Sequence, residues 1–294
     1  MAKSGPTARE LLDDGFRYER AGMTDRALDR YQSALATTKN PALVSESLRR
    51  LSHVYRGRCE WDRALAAATR SAAAAQDARS PELMAEAWNA EAAVHQSRGD
   101  FDAAIPLYSR MLDVLEAGRM RGVALQNLAA IYARRGQFTD AAEHFRQALS
   151  AFEAAEDRSG MGYVLTNLAG LALDQGDAAR AETVLEDAMT LAREIQDLDL
   201  LAIARVNHAE ALLARGELQK AEEEASAAFG HFGASENRWR RIECLRLLGE
   251  IAVQREQLES ARRFFTAALD TAEQVDAKVE REQMRERLAE LGQD

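Results

Sequence analysis

Residues 122–149 read GVALQNLAAIYARRGQFTDAAEHFRQAL. Leu125, Leu128, Ala129 and Tyr132 recur at helical spacing and make one apolar stripe. The segment Gly136-Gln137-Phe138-Thr139-Asp140 interrupts it with a turn. Ala141, Phe145, Ala148 and Leu149 then make a second stripe. The stretch is therefore a pair of amphipathic helices joined by a tight turn, and neither helix can bury its stripe alone.

The same pair recurs along the chain. The turn position falls at Gly22, Cys59, Gly99, Gly136, Gly176, Gly216 and Glu256, at spacings of 37, 40, 37, 40, 40 and 40 residues. Five residues after each turn stands a small residue: Ala27, Ala64, Ala104, Ala141, Ala181, Ala221 and Ala261. Seven residues before it stands another: Gly15, Ser52, Ala92, Ala129, Ala169, Ala209 and Gly249. Two helices approach closely only where side chains are small, so these columns mark the expected crossing of each pair. Tyr31, Tyr108, Phe145, Leu185 and Phe265 are expected to plug the gap to the next pair.

The L-x-x-L-A-x-x-Y run, the turn glycine and A-x-x-x-F-x-x-A together resemble the tetratricopeptide repeat (TPR). The resemblance implies an all-α TPR α-solenoid, a right-handed superhelix of about fifteen antiparallel helices. The expected organisation is an N-terminal tail at 1–6, seven helix pairs at about 7–40, 43–78, 82–117, 121–157, 160–196, 198–234 and 238–276, and a C-terminal capping helix at 277–294 with a charged outer side. Asp25 and Asp62 are the expected N-caps of their second helices. Asn40-Pro41 is expected to close the first pair, and Ser80-Pro81 to open the third with a cap and a proline at the first helical position. Pro106 lies inside a second helix and removes about one backbone hydrogen bond.

Composition narrows the function classes. The chain of 294 residues carries a formal net charge of −10, which argues against a nucleic-acid partner, because phosphate binding needs a basic face. Only four basic residues are lysine: Lys3, Lys39, Lys220 and Lys278. The Ala/Arg bias suits a GC-rich bacterial genome. Cys59 and Cys244 lie far apart, so a reducing cytoplasm is the default expectation. The N-terminus MAKSGPTARELL lacks the apolar run of a signal peptide, and no stretch is apolar enough for a membrane span. His53, His95, His144, His208 and His231 are scattered among repeats, with no metal-ligand spacing and no nucleophile motif. No catalytic residue, metal or cofactor is expected, and an enzyme is not. His208 is expected to be a packed core residue, Cys59 a small turn residue, and Glu222–Glu224 a solvated run.

The inner surface remains. In the TPR family the first helix of each pair lines a concave groove that binds ligands. Nine residues before the turn stand Asn127, Asn167 and Asn207, in the runs QNLAAIY, TNLAGLA and VNHAEAL. This ladder resembles LGN-like and kinesin-light-chain-like repeats, whose asparagines hold a peptide main chain. An amide offers both a donor and an acceptor to such a chain. The competing reading is a relic of duplication, with each amide bonded from helix to helix. Gln126, Val123, Tyr163, Ile203 and Asn89 complete the expected groove, with Ala130, Gly170 and Val206 among its apolar or small positions. Toward the N-terminus the expected lining turns basic at Arg49, Arg50, His53 and Arg56. That region is either a pocket for an acidic peptide end or a cluster neutralised internally, with Glu46 as the obvious partner. The expected partner is a protein or peptide segment held by a non-catalytic adaptor, with no membrane contact. The alternatives are a self-associating scaffold or regulatory subunit, with an oligomer possible, and a bacterial peptide-signal sensor.

Overall fold

The computed structural model describes residues 5–234, 237–275 and 277–292. The first residues of the expected tail (1–4), position 276 of the expected seventh pair and the expected last residues of the capping helix (293–294) lie outside the described residues. The described residues form fifteen α-helices and no strand.

They fall into two compact units, 1–155 and 156–294. The first holds four antiparallel pairs: α1 (Ala8–Arg20) with α2 (Thr24–Thr37), α3 (Pro41–Gly57) with α4 (Trp61–Asp77), α5 (Pro81–Arg98) with α6 (Phe101–Val114), and α7 (Arg119–Arg134) with α8 (Phe138–Ala154). The second holds α9 (Arg158–Asp174) with α10 (Ala178–Glu194), α11 (Leu198–Ala214) with α12 (Leu218–Ala234), α13 (Arg238–Gln254) with α14 (Leu258–Gln274), and α15 (Lys278–Glu290), which packs on α14. Within each unit every helix packs on its sequence neighbour. The first helices also touch one another: α1 with α3, α3 with α5 and α5 with α7 in one unit, α9 with α11 and α11 with α13 in the other. That crowding makes the first-helix side the tighter, inner side of each stack.

All seven expected turn positions have left-handed backbone, including the two without glycine, Cys59 at φ 59° and Glu256 at φ 60°. A left-handed residue just past a helix end lets its N–H and the next bond back to the last carbonyls, as Gly136 does to Ala133 and Gln137 to Tyr132. The turns between pairs use the same device at Arg79, Glu156 and Gln196, which no glycine marks in the sequence.

The small columns are buried as expected, with all seven alanines after the turn fully inaccessible. The large groups pack toward the next pair as expected, Tyr31 sharing a core with Leu51 and Val54 of α3, Tyr108 with Leu128 and Ile131 of α7, Leu185 with Ala204 of α11 and Phe265 with Met284 of α15, and two of them also fill a place within their own pair. A Cβ added to Gly15 would lie 2.4 Å from the Tyr31 ring, and one on Gly249 would lie 2.4 Å from the Phe265 ring. These aromatics therefore fill the crossing of their own pair, and the missing side chain opposite makes room for them.

The caps differ from expectation. Asp25 and Asp62 are not N-caps; Met23 and Glu60 hold those positions without a side-chain capping hydrogen bond. Both aspartates sit one residue inside the helix, where a carboxylate favours the positive end of the helix dipole. Asn40 opens α3 rather than only closing the first pair: its side chain accepts from the Ala42 N–H at 2.9 Å, with Pro41 at the first helical position. Ser80 caps α5 as expected, accepting from Leu83 N–H.

An interaction the repeat columns did not flag ties successive pairs. The arginine just before the turn reaches an acid 33 residues earlier, on the second helix of the preceding pair: Arg58 to Asp25 and Arg135 to Asp102, each at 2.6 Å. Arg215 to Glu182 and Arg255 to Glu222 repeat it in the second unit. Leu65 stands at the corresponding position for Arg98, which faces Asp100 instead at 3.3 Å.

Candidate functional site

The inner face of the first unit is built on α3. Arg49, His53 and Arg56 recur at three- and four-residue spacing and share one stripe, with Arg50 beside it. Arg49 pairs with Glu86 on α5 at 3.0 Å. His53 Nδ1 lies 2.7 Å from a Glu19 oxygen on α1, and the other Glu19 oxygen accepts from the Tyr31 hydroxyl. Burial opposes ionisation of Glu19, but the hydrogen bonds from His53 and Tyr31 outweigh it and hold the carboxyl below its usual range. The Arg50 guanidinium lies over the Phe16 ring, 4.4 Å from its centroid. Arg56 donates to Ser97 Oγ on α5 at 3.3 Å. The basic positions are thus largely occupied internally. Glu46 is not their partner, because Arg9 on α1 takes it at 2.9 Å.

Farther along this unit, Asn127 on α7 donates through Nδ2 to Asn89 Oδ1 on α5 at 3.4 Å. Val123 and Gln126 stand half-buried on the same helix. The bond leaves Asn127 Oδ1 unengaged.

In the second unit, Asn207 on α11 donates through Nδ2 to the Thr166 carbonyl on α9 at 3.1 Å. Its partner is backbone rather than the neighbouring Asn167. Asn167 makes no side-chain hydrogen bond among the described residues and is half-buried. Tyr163 and Ile203 flank it in sequence register, both half-buried. Burial, reinforced by Asp197 and Asp199, pushes the Tyr163 hydroxyl up to about 12. Gly170 is open: a Cβ there would meet nothing within 4 Å. Val206, expected in the groove, is fully buried in the core. On α11, side chains at Ile203 and Asn207 lie four residues apart and share a face, whereas Val206 is turned away from Asn207 and faces the neighbouring helices.

A charge network on this face was missed. Arg246 on α13 lies 2.6 Å from Glu210 on α11 and 2.8 Å from Glu250, which also faces Arg287 of α15 at 3.6 Å. Burial raises the Glu210 carboxyl above its usual range in spite of Arg246. The signal was present as glutamates six residues before the turns at Gly216 and Glu256, with an arginine ten before the second.

His208 is 9% exposed, a packed residue as expected, and both of its ring nitrogens lack a hydrogen-bond partner. Its Nδ1 lies 3.8 Å from Glu224, which Arg205 also approaches at 3.4 Å. The Glu222–Glu224 run is not uniformly solvated: Glu222 pairs with Arg255 and Glu224 is half-buried. Cys244 is buried, which pushes its thiol up to about 12 and leaves it inert as a nucleophile. Among the described residues, no group of three or more His, Cys, Asp or Glu side chains stands where it could hold a metal ion. No described helix is long and apolar enough to cross a membrane.

Comparison with known proteins bears on the fold and on the repeat. The tetratricopeptide repeat family profile matches residues 83–154 and 120–194. No curated protein matches the chain in sequence. Among solved structures, a Rap protein complexed with competence and sporulation factor superposes with a TM-score of 0.75 at 17% identity, covering 92% of this chain and 76% of that one. The apo form of RapI gives 0.70 at 13% identity, covering 92% and 99%. BtubC (BKLC) from P. vanneervenii gives 0.56 at 21% identity, covering 78% and 90%. These likenesses establish a shared fold. With the repeat columns, the left-handed turns and the profile match in agreement, the chain is a tetratricopeptide-repeat protein.

Proposed function

We propose that this protein is a non-catalytic adaptor that holds an extended segment of a partner protein along the inner faces of its first helices. The observation that carries the reading is the state of the three asparagines. Among the described residues Asn167 has no side-chain hydrogen bond, and Asn127 and Asn207 spend only Nδ2 on neighbouring helices. Each keeps an Oδ1 that can accept an N–H from an extended chain, which needs an outside partner at every residue. Half-buried apolar surface for side chains of a bound segment is offered by Val123 on the inner face of the first unit and by Tyr163 and Ile203 on that of the second. A Rap protein of the same fold has been solved in complex with competence and sporulation factor, which supports a ligand-binding role for an array of this kind, including the peptide-signal variant of the reading.

The combined variant Asn127→Ala, Asn167→Ala and Asn207→Ala tests it. Each lost hydrogen bond is worth about 0.5–1.5 kcal/mol, so binding should weaken by roughly one to three decades. Full affinity in that variant would end the reading. A second reading, a self-associating scaffold or regulatory subunit, draws on Leu198, Trp239 and Val279. These exposed apolar residues stand at the starts of α11, α13 and α15. Light scattering that returns a stable oligomer, dissolved by Trp239→Ser, would favour it.

A further inference from the structure

We infer that Arg56 is the anchor for a carboxylate carried by the partner segment, an inference that rests on the adaptor reading above. The basic stripe of α3 is settled residue by residue except here. Arg49 has Glu86, His53 has Glu19, and Arg50 lies over the Phe16 ring. Arg56 is half-buried between α3 and α5 and has a single polar partner among the described residues, the Ser97 hydroxyl, at 3.3 Å. That hydroxyl gives its own proton to the Ala93 carbonyl, so it meets the guanidinium as a neutral acceptor. No carboxylate of the described residues pairs with Arg56.

A guanidinium is a planar fork of five donors, and it matches a carboxylate with two parallel hydrogen bonds. Taking its charge partly out of water without an anion is costly. Burial is the main influence on Arg56 and pulls its pKa below the usual arginine range, the direction of a cation short of compensation. Nearby Tyr108 supplies no anion, because burial holds its hydroxyl protonated far above neutral pH and it donates to Gln96. The position also fits an approaching ligand. Arg56 bridges two adjacent first helices on the inner side of the unit, one turn beyond His53, whose side chain is more than half exposed. An Asp or Glu side chain of a bound segment would complete the pairing that the fold leaves open.

A random dodecapeptide library displayed on phage, selected on the full chain, supplies the probes. The retained peptides should share an acidic residue at one position. Synthetic copies should bind Arg56→Gln about ten- to a hundredfold more weakly, the loss expected for charge-assisted hydrogen bonds, and Arg56→Lys by less. The Arg56→Gln melting temperature should hold or rise, because a half-buried, uncompensated cation has been removed; a lowered one would assign Arg56 to structure and overturn the inference. Peptides with no shared acidic residue, or equal affinity for Arg56→Gln, would also overturn it. If those same peptides lost affinity for the triple asparagine variant, the adaptor reading would stand while this one fell. Selection of no peptide at all would overturn both. Binding that required phosphoserine in place of the acid would replace the carboxylate by a phosphate and overturn the assignment.

Discussion

The inner faces of the two units are held by different chemistry. In the first, two polar contacts run between first helices: a hydrogen bond from His53 to Glu19 and an ion pair of Arg49 with Glu86. In the second, the contact from α9 to α11 is an amide on a backbone carbonyl, and charge gathers on one arginine, Arg246, between Glu210 and Glu250. The buried carboxylates respond in opposite ways. Glu19 is held below its usual range by two hydrogen bonds, whereas Glu210 is lifted above it by burial that one guanidinium does not offset. The same repeat therefore carries a stabilising acid in one unit and a strained one in the other. A shared backbone plan leaves the sign of each polar contribution to individual residues.

The largest effects should come from the crossings, where both units follow one rule. Gly15→Ala drives a Cβ into the Tyr31 ring and Gly249→Ala drives one into Phe265, both rings being buried. Overpacking of this kind costs about 1–3 kcal/mol. Hydrogen exchange should place the loosening of Gly15→Ala within 1–155 and that of Gly249→Ala within 156–294. Uniform loosening by either would erase the distinction between the units. Ala141→Trp belongs to the same class and should loosen the fourth pair and its neighbours first.

Next in size is the removal of one guanidinium from each inner face. Arg246→Met leaves Glu210 and Glu250 without their bridge and should cost about 1–3 kcal/mol in chemical denaturation. Arg49→Met breaks a single solvent-edge pair and should cost under about 1 kcal/mol. Equal losses would show that the two networks do the same job.

Acid should separate the units more finely. Glu19 has a folded-state pKa below its ordinary value of 4.5, so its contribution is present above that value and is lost as pH falls through the folded pKa. Glu210 has a raised one, so it weakens the fold above that pKa, and the penalty is relieved as pH falls through it. Glu19→Gln should lower stability at pH 7 and flatten its decline in acid. Glu210→Gln should be neutral or stabilising at pH 7, with the advantage shrinking as pH drops. Melts across about pH 3–7 check both signs, each effect staying within about 1 kcal/mol for such partly exposed groups.

The smallest difference lies within the asparagines. Asn207→Ala gives up a helix-to-helix bond of about 0.5–1.5 kcal/mol and recovers roughly half a kcal/mol of helix propensity. Asn167→Ala gives up nothing internal and should hold or gain a few tenths. A reversed order in thermal melts would mean that Asn167, rather than Asn207, ties α9 to α11.

The helices and their turns were legible because they depend on columns of small residues and on single left-handed positions, which are local. Even Cys59 and Glu256 were placed by register against the glycines of other repeats. Cap positions slipped by two residues because the carboxylate that serves the helix dipole at Asp25 lies inside the helix, while the cap at Met23 has no side-chain capping hydrogen bond to advertise it. Among the site residues, the pairing of Arg49 with Glu86 rather than Glu46 was not legible, since it depends on how far α3 and α5 stand apart and not on spacing along α3. The asparagine column was visible as a column. Which of its amides is occupied depends on a carbonyl 41 residues away, and no local pattern encodes that.

The 33-residue reach of the pre-turn arginines has a bearing on how such a chain can change length. Where turns are 37 residues apart, the acid sits three residues past the turn, at Asp25 and Asp102; where they are 40 apart, it sits six past, at Glu182 and Glu222. The second helices α2 and α6 have 14 residues and the other five have 17. Length therefore varies by about one helical turn, and the acid migrates by the same step, so each of these four arginines finds it. The second helices of this chain thus differ from one another by three residues or by none. A three-residue graft into α6 that also moved the acid from position 102 to 105 should be accepted silently, while a graft of two would swing the rest of that helix's apolar stripe away from its neighbours.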